Sequence, residues 1–187
     1  MKTLVTLLIS VICLLPLPGK AFQLSNEAEI SILTCSPGKE LYSLFGHTAI
    51  RVRDPKAGMD EVFNYGTFDF DTPHFYLKFA QGLLPYQLST SSFQHFMYTY
   101  QLEERSVYSQ RLLLDSLQKQ QLFDLLLENY RPENRSYLYN FLFDNCTTRA
   151  RDIIVNCLQG TAVEWNTPDL DKNFWNLLDE YLGASPW

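Results

Sequence analysis

Two short polar motifs, 99 residues apart, constrain this chain more than any other feature: Phe45-Gly46-His47-Thr48-Ala49-Ile50-Arg51-Val52 and Asp144-Asn145-Cys146-Thr147-Thr148-Arg149. In the first, Thr48, Ile50 and Val52 alternate with His47, Ala49, Arg51 and Arg53, so a strand begins at the imidazole behind a glycine turn. In the second, Asp144 or Asn145 caps a helix whose buried face is Ala150, Ile153, Ile154 and Cys157, which places Cys146 on its first turn. A thiol there is stabilised as thiolate by the helix dipole, and a nearby imidazole completes the activation. The expected fold is therefore α+β, a small antiparallel sheet containing the His47 strand packed on the Cys146 helix.

Residues 1–21 read as a signal peptide. Lys2 supplies the positive start, Leu4 to Leu17 form an apolar run of 14 positions, and Gly19 and Ala21 are the small residues before a cleavage point at Phe22. That run is too short to span a membrane as a helix. Residues 22–187 are then one exported domain, long enough for a core of its own. Without Lys2 and Lys20 the domain carries 13 basic against 21 acidic residues, a net charge of −8 that makes nucleic acid an unsuitable partner. Cys13 leaves with the signal, so Cys35, Cys146 and Cys157 remain, an odd number. A Cys35–Cys157 disulfide leaves Cys146 free; three reduced, buried cysteines are the alternative.

Along the chain, Glu27–Thr34 reads as a strand, and Glu61–Tyr65 as the return strand of a hairpin from His47–Arg53 through the turn Asp54-Pro55-Lys56-Ala57-Gly58. That hairpin sets His47 near the residues after Tyr65. Phe68 to Tyr100 is aromatic and irregular, with short helices at Phe75–Gln81 and Phe93–Tyr98. Val107–Leu114 has strand length. Asp115 and Gln118 form a capping box for a helix to about Asn129, with Leu117, Leu122, Phe123, Leu125 and Leu126 inward. Gly160 ends the Cys146 helix, and the tail, with Trp165, Trp175 and Trp187, shows no closing element.

Cys146 is the first choice as nucleophile, against the alternative of a small buried residue at a helix start. Asp144 opposes it, because a carboxylate beside a thiol raises its pKa unless turned to the cap. His47 as base needs a partner on its other ring nitrogen. Asn64 is the best placed, with Asp69 and Asp71 behind it, although Asn64 reads equally as a turn residue before Tyr65-Gly66. Cys35 competes with Cys146 but precedes a turn, Ser36-Pro37-Gly38, rather than a helix; His74 and His95 read as ordinary polar residues. No metal-ligand spacing is present and no cofactor is implied. Twelve aromatic residues between Phe63 and Tyr100 either fill a core or line a groove for acyl chains.

At the words FGHTAIRV and DNCTTRARD the chain resembles the permuted branch of the papain-like superfamily, in which a histidine strand precedes the cysteine helix, as in lecithin:retinol acyltransferase and NlpC-like thiol hydrolases. More closely, Cys35-Ser36-Pro37-Gly38 through ELYSLFGHTAIRVRDP, VFNYGTFDFDTPHFYLKFA and YNFLFDNCTTRARDII resemble the N-terminal periplasmic domain of the Bacteroidota lipoprotein N-acyltransferases called Lnb, over most of Ser31 to Trp187. The resemblance implies acyl transfer from a phospholipid donor to the N-terminal amine of a lipoprotein through a cysteine thioester. Carried over by motif, Cys146 is the nucleophile and His47 the base, with Asn64, Tyr42, Ser43 and Asn145 supporting. It also implies a membrane surface as partner, since full-length members continue into a membrane-spanning part. A cysteine peptidase or amidase acting on cell-wall peptides and a non-catalytic lipid- or partner-binding module are the rival expectations.

Overall fold

The computed structural model describes residues 22–158, 160, 163–164 and 171–183. The signal peptide expected at 1–21, Cys13, Trp165 and Trp187 lie outside the described residues.

Among the described residues six strands form one antiparallel sheet. They are β1 (Glu29–Cys35), β2 (His47–Asp54), β3 (Met59–Phe68), β4 (Pro85–Ser92), β5 (Val107–Arg111) and β6 (Ser136–Leu138), in the spatial order β5-β1-β2-β3-β4-β6. Alternation along β1 and β2 sorts side chains to two faces. Ile30, Ile50 and Val52 turn to one side, whereas Leu33, Cys35 and Ala49 turn to the other. Among the described residues there are five α-helices: α1 (Phe75–Gln81), α2 (Phe93–Leu102), α3 (Ser116–Tyr130), α4 (Cys146–Cys157) and α5 (Phe174–Leu182). The larger core lies between the sheet and α3 and α4, built from Leu122, Phe123 and Leu126 against Phe63, Ala150 and Ile153. The smaller one holds Phe96 and Tyr100 of α2 against Leu33, Ala49 and Val62. The α+β architecture expected from the two motifs is thus present, with a sheet longer than the motifs alone required.

Local chemistry explains the joints that matter for the site. The β2–β3 hairpin pairs Ile50 with Phe63 and Asp54 with Met59, and Gly58 closes its turn at a φ of 63°. Buried Asp54 holds that turn to the N-terminal segment, accepting from Ser25 N–H at 2.7 Å, Ser25 hydroxyl at 2.6 Å and Lys56 N–H at 3.1 Å. The β3–β4 register shifts between Asn64 and Thr67, a bulge that bends the strand beside the start of β2. Helix α3 begins at the capping box expected from Asp115 and Gln118.

Five expectations need correction. Cys35 and Cys157 are not bridged: they sit in the two different cores, on opposite faces of the sheet, and both thiols are free and buried. Leu117 is 71% exposed, because α3 turns its first turn to solvent and buries only from Leu122 onward. The stretch after Pro85 is strand β4 rather than irregular chain; proline is compatible with the first residue of a strand, and Tyr86 and Leu88 alternate inward from it. The tail does carry an element, α5, and α4 ends with Leu158 as its cap, before Gly160.

Candidate active site

Helix α4 starts where a cap exists to start it. Asn145 is the N-cap: its side-chain oxygen accepts from Thr147 N–H and Thr148 N–H, each at 3.0 Å, while Thr148 hydroxyl accepts from Asn145 N–H at 2.8 Å. The Asn145 amide also donates to Phe141 carbonyl at 2.7 Å, fixing the loop that delivers the chain. Cys146 therefore occupies the first helical position, half-buried. Asp144, the residue that threatened the thiolate, is held by Arg149 through paired bonds of 2.6 and 2.8 Å. Arg149 in turn lies over the Tyr137 ring, 3.7 Å from its centroid. The carboxylate charge is thus matched before it reaches the sulfur.

The start of β2 brings the imidazole to that helix. Continued one turn of the pleat past Ile50–Phe63, the hairpin register sets His47 beside Gly66, and there a side chain has no room: a Cβ on Gly66 would stand 3.0 Å from His47 Nδ1 and overlap Cε1. His47 Nε2 meets Asn64 Oδ1 at 2.8 Å, and the same oxygen accepts Gly66 N–H at 2.7 Å across the bulge. An amide oxygen accepts only, so Nε2 carries a proton and Nδ1 is the ring nitrogen left free to take up or release one. Cys146 lines the same cleft as His47 and Thr147, and Thr48 follows the imidazole on β2. Thr48 and Thr147 hydroxyls are themselves 2.9 Å apart, a direct tie between β2 and α4. Burial pushes the Cys146 pKa up, but the positive charge of the nearby His47 imidazole, with the polar groups of Thr48 and Thr147, outweighs it and brings the thiol down to about 7.

The expected nucleophile Cys146, base His47 and orienting amide Asn64 all line one cleft. The other expected residues fall as follows. Tyr42 packs its ring against Phe68 and Phe70, at 5.5 and 5.3 Å between centroids, and forms cleft wall. Ser43 is buried and donates to Glu40 carbonyl at 2.9 Å, which shapes the turn before β2. Cys35 is no rival nucleophile, since burial pushes its thiol up to about 11. Asp69 accepts from Asp71 N–H at 2.9 Å in its own turn, and His74 and His95 sit at the starts of α1 and α2. Gly66, Thr48 and Thr147 were not singled out from sequence; the period-two pattern could have placed Thr48 on the helix-facing side with Ile50, but a bulge leaves no such pattern at Gly66.

Cys146, His47 and Asn64 open on a cleft of about 460 Å³. One wall is aromatic: Phe68, Phe70, Phe79, Tyr86 and Tyr139, with Tyr86 and Tyr139 stacked at 4.4 Å. Glu103 and Arg105 also line the cleft. Such a site can carry a thiolate attack on an acyl carbon and shelter the product from water. Among the described residues no group of three or more His, Cys, Asp or Glu side chains is disposed to hold a metal ion.

A family model described as the Lnb N-terminal periplasmic domain matches residues 21–173. The chain belongs to this family. It is thereby a periplasmic domain, and none of its described helices is long and apolar enough to cross a membrane. No curated protein and no solved structure matches the chain. Within the Lnb domain the matched span includes every residue of the Cys146–His47–Asn64 constellation.

Proposed function

We propose that this Lnb domain is a thiol acyltransferase, moving an acyl chain from a phospholipid to the N-terminal amine of a lipoprotein at a membrane surface. The observation that carries the reading is a thiol lowered to about 7 that opens directly on an aromatic-walled cleft. In the first step His47 takes the Cys146 proton as the sulfur bonds to the ester carbonyl carbon, the ester C–O bond breaks, and the lysophospholipid oxygen takes that proton from His47. In the second, the lipoprotein amine bonds to the same carbon, the C–S bond breaks, and the amine proton passes through His47 back to the sulfur. Asn64 holds Nε2–H throughout, so only Nδ1 exchanges protons. The thioester must outlast the wait for an amine, which favours apolar walls over the open polar groove a peptidase would use.

The test is the intact mass of the protein after incubation with vesicles of one defined phospholipid. One acyl-chain increment is expected, removed by hydroxylamine and absent from Cys146→Ala. An unmodified wild type would defeat the reading and leave the hydrolase and the binding module.

A further inference from the structure

Arg105 lines the same cleft as Cys146, and the aromatic wall does not account for it. Its side chain is 8% exposed, and three contacts fix it: Nε donates to Ser36 carbonyl at 2.8 Å, Nη1 to the Glu103 carboxylate at 2.7 Å, and the guanidinium lies 4.7 Å from the Tyr100 ring centroid. Nη2 is buried and has no hydrogen-bond partner among the described residues. A buried guanidinium donor left unpaired is unfavourable, and a polar group so placed at a cleft calls for an acceptor. The arm cannot relax easily. Gly38 passes so close that a Cβ there would stand 3.3 Å from Arg105 Cδ, and Ser43 fills the space beyond. The guanidinium is tied to the strand end that carries the imidazole, because the Ser36 carbonyl it holds follows Cys35, which pairs with His47 in the β1–β2 register.

We propose that Arg105 is the donor-recognition residue of the cleft, its Nη2 edge, uncovered as Glu103 swings outward, taking a non-bridging oxygen of the phosphodiester while the acyl ester lies at Cys146. The inference rests on the acyl-transfer reading and adds what selects the donor. A guanidinium is suited to phosphate oxygens by charge and planar geometry. Glu103, with a 44% exposed side chain, is free to swing outward as the phosphodiester arrives, leaving Nη1 as a second donor. No neutral glycerolipid would offer this group an equivalent partner.

Binding is measured on Cys146→Ala protein, so the outcome does not depend on turnover. Dihexanoyl phosphatidylcholine is the probe, with dihexanoylglycerol as its phosphate-free counterpart and inorganic phosphate and glycerophosphocholine as competitors. Arg105→Gln is expected to weaken the phospholipid by about 10-fold or more and to leave dihexanoylglycerol within about 2-fold. Glu103→Gln, which removes the competing carboxylate, is expected to tighten the phospholipid. Competition by glycerophosphocholine but not by inorganic phosphate identifies a lipid headgroup; competition by both identifies a general phosphate site. Equal losses for both lipids in Arg105→Gln, or a Glu103→Gln variant that binds phospholipid more weakly, would overturn the proposal. Phospholipid binding that follows this pattern in a wild type that never becomes acylated would preserve the Arg105 site and discard the acyl-transfer reading.

Discussion

At the scale of single residues, the site depends on hydrogen bonds that each have one geometry. Asn64 Oδ1 can only accept, and it accepts twice, so it sets the His47 tautomer and tethers the bulge in the same act. Removing it is expected to leave the thiol and lose its partner. In wild type the alkylation rate by iodoacetamide should rise with pH up to the thiol's midpoint near 7 and level off above it, because thiolate is the reactive form. In His47→Ala that midpoint should move up toward the ordinary cysteine value, about 8.5, so that reactivity at neutral pH falls. Asn64→Ala should move it by less while slowing acyl transfer by about 100-fold, a magnitude typical of general acid–base groups. An unshifted midpoint in His47→Ala would show that the imidazole does not activate the sulfur. Gly66 belongs to the same argument: even the methyl group of alanine would displace the ring.

At the scale of elements, the decisive unit is the first turn of α4. Asn145→Ala is expected to cost about 1 kcal/mol of stability for the lost cap, seen as a lower denaturation midpoint with an unchanged slope. Asn145→Asp keeps an acceptor for Thr147 and Thr148 N–H but adds a negative charge beside the sulfur. Stability should then be kept while the alkylation midpoint rises, which separates the cap from the electrostatics. This turn was legible in the sequence because an N-cap residue followed by residues at helical spacing leaves few alternatives. The start of β2 was legible for the matching reason, a clean period of two from His47. Strand β4 was not, since Gln87, Ser89 and Ser91 alternate with Tyr86 and Leu88 behind a proline, a pattern easily taken for loop between aromatic helices. Residues such as Gly66 and Arg105 were illegible for a deeper reason. Their roles come from what other chain segments place against them, and neither sits in a local pattern that announces it.

At the scale of the whole molecule, apolar surface gathers near the cleft. Phe45 of the cleft wall touches Phe141 at 4.5 Å and Tyr181 of α5 at 5.3 Å, and the exposed Phe143 meets Phe174 at 6.4 Å. Phe143 and Trp175 are 71% and 75% exposed, and no described residue of α5 is buried. Phe143→Ser together with Trp175→Ser is expected to reduce co-sedimentation with zwitterionic vesicles while leaving the circular dichroism spectrum unchanged. Binding to anionic vesicles should be weaker than to zwitterionic ones in wild type, because the domain is itself acidic. Undiminished sedimentation of the double variant would place the membrane contact elsewhere. The separation of His47 from Cys146 along the chain has one more consequence, and it concerns time. A base near one end of the domain and a sulfur near the other meet only when the strand and the helix have both formed and docked. In an unfolded chain every cysteine is an ordinary thiol, and the lowered pKa of Cys146 exists only once β2 and α4 have docked.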